Sequence, residues 1–147
     1  KYSPDLKNLE KEFRTNNIRG KIINQFIPQE ELMCIIQSKN TLVTVIPSRG
    51  EPFGMAPIEY WSWSGEIGPV IIASKKGGLI EQVDHGINGF LVDIEDVNQF
   101  SACILNAIKL DASKRRIFTR NGKQKVMNNY VYANNIINSI KTLLFDE

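Results

Sequence analysis

An α/β fold, built as a parallel sheet with helices on both faces, is what this sequence predicts, and three observations carry the prediction. Thr41-Leu42-Val43-Thr44-Val45-Ile46 and Pro69-Val70-Ile71-Ile72-Ala73 are short, β-branched apolar runs of buried-strand type. Stretches with helical apolar spacing alternate with such runs along the chain. Strands separated by helices join through right-handed crossovers, which makes the strands parallel. In sheets of this kind ligands bind beyond the carboxyl ends of the strands, so the loops after Ile46 and after Ala73 should face one crevice.

The elements follow in order. Ser3 and Pro4 ahead of Leu6, Leu9 and Phe13 supply an N-cap, a first-turn proline and one apolar face, for a helix that ends near Asn16 and Asn17. Lys21-Ile22-Ile23-Asn24-Gln25-Phe26 reads as a strand. Pro28-Gln29-Glu30-Glu31 then opens a helix with acids in its first turn and Leu32, Ile35 and Ile36 on its inner face. After the strand over 41–46 comes a helix from about residue 55 to 64, with Pro57 near its start. The strand at 69–73 runs into Ser74-Lys75-Lys76-Gly77-Gly78, a short helix from Leu79 to Asp84 and the turn His85-Gly86-Ile87-Asn88-Gly89. Phe90-Leu91-Val92 is a last short strand, and Asp93 can cap a helix whose inward residues are Val97, Phe100, Ile104 and Ile108. Helical patterns over roughly 111–129 and 132–145 form a C-terminal helical extension. No repeat or linker divides the chain, so residues 1–147 read as one domain.

Composition narrows the function. The chain has 147 residues, 42% hydrophobic and 23% charged, which suits a globular domain with an ordinary core. A formal net charge of +2 is too small to imply nucleic acid, and no nucleic-acid motif is present. Lys109, Lys114, Arg115, Arg116, Arg120, Lys123 and Lys125 stand against the single acid Asp111 in one stretch. That stretch reads as a solvated helix face, with weak association to an anionic membrane surface as the alternative. Cys34 and Cys103 sit in apolar helical patterns without a metal-ligand or redox spacing and read as buried thiols of a reducing compartment. With no long apolar stretch, the expected location is cytoplasmic, peripheral at the inner membrane face if the basic run binds lipid. Neither a His/Cys cluster nor an Asp-x-Asp pair occurs, so no metal is expected.

The chemistry concentrates in Pro47-Ser48-Arg49-Gly50-Glu51-Pro52-Phe53-Gly54-Met55-Ala56-Pro57-Ile58-Glu59. A strand, a Gly-bearing loop and a helix N-terminus make an anion site, because unpaired N–H groups and the helix dipole converge there. Glu51 and Glu59 cannot bind that anion, but they can accept hydrogen bonds from hydroxyls. The combination suits a ligand with both phosphate and sugar. Each feature also has a plain structural explanation. Glu51 can be a carboxylate near a helix N-terminus and Glu59 a surface helical residue. Gly77 and Gly78 can be a strand-to-helix turn, with Glu81 a first-turn acid. His85, the only histidine, precedes a turn glycine and has no acid or thiol placed to orient it, so it reads as structural. Trp61 and Trp63 read as packing residues.

Four segments in this order resemble the retaining nucleotide-sugar glycosyltransferases built from two Rossmann-like domains: Pro47 to Gly54 with Glu59 after seven intervening residues, Pro69-Val70, Gly77-Gly78-Leu79-Ile80-Glu81, and His85 to Val92. The resemblance runs from about Ile22 onward and is to the second half of the C-terminal, donor-binding domain. It implies a Rossmann-like partial domain of a two-domain enzyme. It also implies a role for Glu51 at the donor sugar, and for Glu59 at the ribose hydroxyls. Backbone N–H groups at Phe53, Gly54 and Met55 would hold sugar or phosphate oxygens. Gly77, Gly78 and Glu81 would line the same donor site, and Gln25, Phe26 and Ile27 the nucleobase pocket. One departure is Tyr60-Trp61-Ser62-Trp63-Ser64-Gly65-Glu66-Ile67-Gly68, a longer passage than the family's Ala/Gly-rich one.

The activity implied is transfer of a hexose from a nucleotide-diphosphate sugar to an acceptor hydroxyl, on a carbohydrate or lipid, with retention at the anomeric carbon. The nucleotide sugar is a co-substrate, and no cofactor or metal is implied. The family's N-terminal Rossmann-like domain, and the Arg and Lys that neutralise the donor diphosphate, have no counterpart in these residues, so this chain alone is expected to be inactive. Other readings of the same motifs are a non-catalytic nucleotide-sugar-binding module, or part of a sugar-nucleotide epimerase or phosphorylase. A glycosidase-like use of the two glutamates fits less well, because Glu59 lies on a helix flank.

Overall fold

The computed structural model describes residues 6–131, and the pattern at 132–145 and the cap at Ser3 and Pro4 lie outside them. Along the chain come α1 (Leu6–Thr15), α2 (Gln29–Gln37), β1 (Val43–Ile46), α3 (Met55–Trp63), β2 (Val70–Ser74), α4 (Leu79–Gln82), β3 (Gly89–Val92), α5 (Val97–Ile108) and α6 (Ala112–Asn129). The three strands form a parallel sheet in the order β1-β2-β3. Val43 pairs with Val70 and Ile46 with Ala73, while Ile71 pairs with Gly89 and Ser74 with Val92.

Central strand β2 is buried along its whole length, as its unbroken β-branched run requires. Ile71 and Ala73 pack on one face with Ile58, Trp61, Leu79, Val83 and Val126 from α3, the α4 segment and α6. Val70 and Ile72 pack on the other with Val92, Phe100, Cys103, Ile104 and Ala107. Helices thus cover both faces, and each fully buried Val, Leu or Ile among these contributes about 1.5 to 3 kcal/mol by leaving water.

Four details differ from the pattern in the sequence. Residues 21–26 form no strand; Ile23 and Phe26 are 42% and 88% exposed, and a β-branched run without a neighbour to complete its ladder has nothing to hold it extended. Asp96 caps α5, accepting from the Gln99 N–H at 3.0 Å, while Asp93 accepts from the Glu95 N–H. The inward stripe of α5 is Phe100, Cys103, Ile104 and Ala107, packed against the sheet, and it leaves Val97 and Ile108 exposed. On α2, Ile36 is buried but Ile35 and Cys34 face outward, so Cys34 is not a buried thiol.

α1 ends as the paired asparagines suggest. Asn17 takes φ 51°, and the Ile18 and Asn17 N–H groups bond the Phe13 and Arg14 carbonyls in a Schellman closure. The longer passage after α3 is anchored to α6 at several points. Gly68 N–H donates to Thr119 Oγ1 at 2.9 Å, Lys123 Nζ donates to the Ser64 carbonyl at 2.6 Å, and Arg116 pairs with Glu66 at 3.0 Å. With Lys125 bound to Asp84 and Lys114 near Asp111, much of the basic run serves this chain's own acceptors. No helix among the described residues is long and apolar enough to cross a membrane.

The crossing of α3 and α6 depends on Gly122, where any Cβ would collide with the indole of Trp61. Gly122→Ala is expected to destabilise the protein by about 1 to 3 kcal/mol through overpacking. An unchanged midpoint in urea, with an unchanged slope, would show that the two helices can separate freely.

Candidate functional site

Register brings the predicted loops together. Because Ile46 lies beside Ala73, the loops leaving β1 and β2 emerge on one edge, and Ser74 Oγ donates to the Ser48 carbonyl across them. The Gly78 N–H donates to the Glu51 carbonyl at 2.9 Å. Gly77 has φ +49°, and a side chain there would run into the Glu51 carbonyl; one at Gly78 would run into that of Phe53. Only glycine permits backbone to meet backbone in this way. The glycine pair therefore shapes the Glu51 loop directly. A third loop reaches the same edge through Arg49, whose guanidinium lies 3.7 Å from exposed Glu95.

Within the first loop, Glu51 Oε1 accepts from the Gly54 N–H at 3.1 Å, at the start of α3. A carboxylate there is favoured by the helix dipole. The Gly54 N–H, which the sequence reading gave to a ligand, is thus engaged by Glu51. Met55, the first residue of α3, and Phe53 are about half exposed, at 51% and 48%. Glu59 is partly buried on α3 and makes no hydrogen bond or ion pair with another described residue. Pro57, Ile58 and Trp61 form the buried side of that helix.

Two residues that the sequence did not single out complete this edge. Gln82 on α4 is 1% exposed and donates from Nε2 to the Phe53 carbonyl at 3.0 Å. Tyr130, the C-cap of α6, sets its ring edge-on to Phe53 at a centroid distance of 6.1 Å. Burial raises the pKa of the Tyr130 phenol, and Glu81 and Asp84 raise it further, against a hydrogen bond from the Gln82 side chain that lowers it. Glu81 thus stands near the site, exposed on α4. Burial first and Glu59 second raise the pKa of Tyr60. A buried glutamine in a four-residue helix and a tyrosine some fifty residues away carry no local pattern that could have announced them.

Other assignments fall outside this cluster. Gln25, Phe26 and Ile27 lie in coil before α2, with Phe26 88% exposed and Ile27 partly buried. His85 accepts at Nδ1 from the Leu91 N–H at 3.1 Å and meets Phe90 edge-on, so it fastens its own turn to β3. Trp61 is buried and Trp63 packs beside Tyr60.

Residues 2–125 match the family described as glycosyl transferases group 1. The chain belongs to this family. A D-inositol 3-phosphate glycosyltransferase of Thermobispora bispora is 36% identical over 77 residues, 52% of this chain and 17% of that protein. Among solved structures, a sucrose-phosphate synthase from Thermosynechococcus elongatus superposes with a TM-score of 0.69 at 26% identity, covering 95% of this chain and 34% of that one. Anabaena HepE, solved in complex with UDP-glucose, gives a TM-score of 0.65 at 22% identity over 95% of this chain and 37% of its own. The chain therefore spans little more than a third of these solved relatives, and the group 1 fold in it is a partial, Rossmann-like domain.

Because the Tyr130 pKa is raised, the folded protein keeps that proton after the unfolded chain has lost it. Its contribution is complete below the ordinary tyrosine pKa of about 10 and is lost as pH rises from there through the higher folded value. Urea melts from pH 9 to 11 should lose stability less steeply in Tyr130→Phe than in the wild type; equal slopes would contradict this placement of the phenol. Gly78→Ala is expected to displace the Phe53 carbonyl and destabilise the protein by at least about 1 to 3 kcal/mol. Wild-type melting of this variant would show that the two loops are not in contact.

Proposed function

We propose that this chain is the C-terminal part of a retaining glycosyltransferase that transfers a hexose from a nucleotide-diphosphate sugar to an acceptor hydroxyl on a carbohydrate or lipid. The observation that supports this reading best is the pair of glutamates around α3, Glu51 in the loop before it and Glu59 at the middle of the helix. Glu51 has one oxygen tied to Gly54 N–H and the other left to accept, and Glu59 has both oxygens unengaged by described residues. An ionised carboxylate accepts from vicinal hydroxyls through its two oxygens, and hydrogen bonds to charged groups are worth about 1.5 to 3 kcal/mol each. In this reading Glu51 meets the donor sugar, Glu59 the ribose, and the N–H groups at the open end of α3 the phosphate or sugar oxygens.

The reaction breaks the bond between the anomeric carbon and the diphosphate oxygen. The acceptor oxygen bonds to that carbon on the same face, and its proton passes to the departing phosphate. Charge growing on the leaving group needs nearby cations. Arg49 faces Glu95, and Lys75 and Lys76 are exposed, so the main diphosphate clamp and the acceptor wall are assigned to an N-terminal Rossmann-like domain and the rest of the donor domain.

Calorimetric titration of the intact protein with UDP-, GDP- and ADP-hexoses tests the assignment. Glu59→Ala is expected to weaken the bound donor by about ten- to a hundredfold, the equivalent of one or two charged hydrogen bonds. Unchanged affinity removes Glu59 from the ribose. Glu51→Ala is expected to lower kcat by a factor of about a hundred or more, and full turnover in that variant rules out its role at the donor sugar.

A further inference from the structure

We propose that Gln82 is a positioning residue for the Glu51 carboxylate, acting through the peptide bond between Phe53 and Gly54; this rests on the donor-site reading of Glu51. That peptide is held at both ends by side chains. Its carbonyl accepts from Gln82 Nε2 at 3.0 Å, and its N–H donates to Glu51 Oε1 at 3.1 Å. The two groups point in opposite directions across one rigid trans plane. Any rotation of the plane breaks both bonds together. The orientation of a half-buried carboxylate is thereby coupled to a fully buried amide on the neighbouring loop.

The loop needs such a constraint. Gly54 has φ +84°, and glycine occupies either sign of φ at little cost, so its backbone alone does not oppose a flip of the preceding peptide. A flip would turn the Gly54 N–H away and leave Glu51 without its partner. Phe53 is restrained otherwise by an edge-on contact with Tyr130 and by the close passage of Gly78, neither of which supplies a hydrogen bond to its carbonyl.

Gln82 is itself held firmly. The Asn88 Nδ2 donates to its backbone carbonyl at 3.3 Å and to Asp84 Oδ2 at 3.3 Å, and Asp84 Oδ1 meets Lys125 Nζ at 2.8 Å. Its side chain is 1% exposed, yet Oε1 has no hydrogen-bond partner. Burying an unsatisfied amide oxygen is unfavourable, and an apolar residue of similar volume would avoid that cost. Packing therefore does not account for a glutamine at this position, whereas donation from Nε2, to the Phe53 carbonyl and toward the Tyr130 phenol, does.

The test is Gln82→Met in the intact protein, since methionine keeps the length and volume but cannot donate. The expected result is a drop in kcat of about tenfold or more, from a misplaced catalytic group. Donor affinity, set largely by Glu59, should change less than about threefold, and the melting temperature should change little, because the orphaned Oε1 is removed while the Phe53 carbonyl loses its donor. Wild-type kcat in the folded variant overturns the proposal, as does a lower melting temperature with unchanged kcat, the signature of a merely structural residue. Glu51→Ala and Glu59→Ala measured alongside separate the two ideas. If both keep wild-type kinetics, the donor-site reading fails; if they lose activity and Gln82→Met does not, only the role of Gln82 fails. Hydrogen exchange at the Gly54 amide of the wild-type protein gives a measurement that needs no variant. Slow exchange is expected, and exchange at the unprotected rate overturns the pinned peptide.

Discussion

Two loops meet backbone to backbone at the carboxyl edge of the sheet, and the rest of the site is arranged around that meeting. Parallel pairing of Ile46 with Ala73 sends both chains out side by side. Gly77 and Gly78 then let the second loop approach until the Gly78 N–H reaches the Glu51 carbonyl. Without a Cβ at either position, no side chain separates the loops. The path of Glu51 to Phe53 follows from this contact, and with it the point at which α3 begins. A loop carrying binding groups is ordinarily a mobile part of a fold. Here it is braced by a neighbouring loop as well as by its own strand.

Behind that contact runs a chain of polar side chains in largely buried surroundings. Lys125 of α6 binds Asp84, Asn88 bridges Asp84 and the Gln82 carbonyl, and Gln82 reaches Phe53. Each link satisfies a group that would be expensive to leave unpaired away from water. The chain also explains part of the basic run on α6. Lys125 is only 14% exposed in its side chain, Lys123 donates to the Ser64 carbonyl, and Arg116 meets Glu66. These cations tie α6 to the turn after α4 and to the longer passage after α3. Lys109 and Arg120 remain exposed.

The passage from Ser64 to Gly68 is held by α6 rather than by the sheet. It leaves α3 at the end opposite the Glu51 loop, before β2 begins, and is fastened by Thr119 and Lys123. The edge that carries the Glu51 loop takes no part in these bonds. Trp61, one turn earlier, sits against Gly122 and keeps α3 and α6 close enough for those bonds to form.

What the sequence determined by itself was local and periodic. The buried β2 run, the acids opening α2, the order of strands and helices, and the placing of Glu51, Phe53, Gly54, Gly77 and Gly78 on one edge were all legible, because burial on both faces and turn chemistry leave marks in neighbouring residues. Other features depended on partners far along the chain. Lys21 to Phe26 has strand composition but no strand, since a ladder requires a neighbour that composition does not name. The α5 stripe is Phe100, Cys103, Ile104 and Ala107 because these residues meet the face of the sheet that carries Val70 and Ile72. The engagement of Gly54 by Glu51, the donation from Gln82 to Phe53 and the arrival of Tyr130 beside the same ring were decided by tertiary structure alone. A hydrogen bond or ring contact between residues distant in sequence has no period, so only the packed chain reveals it.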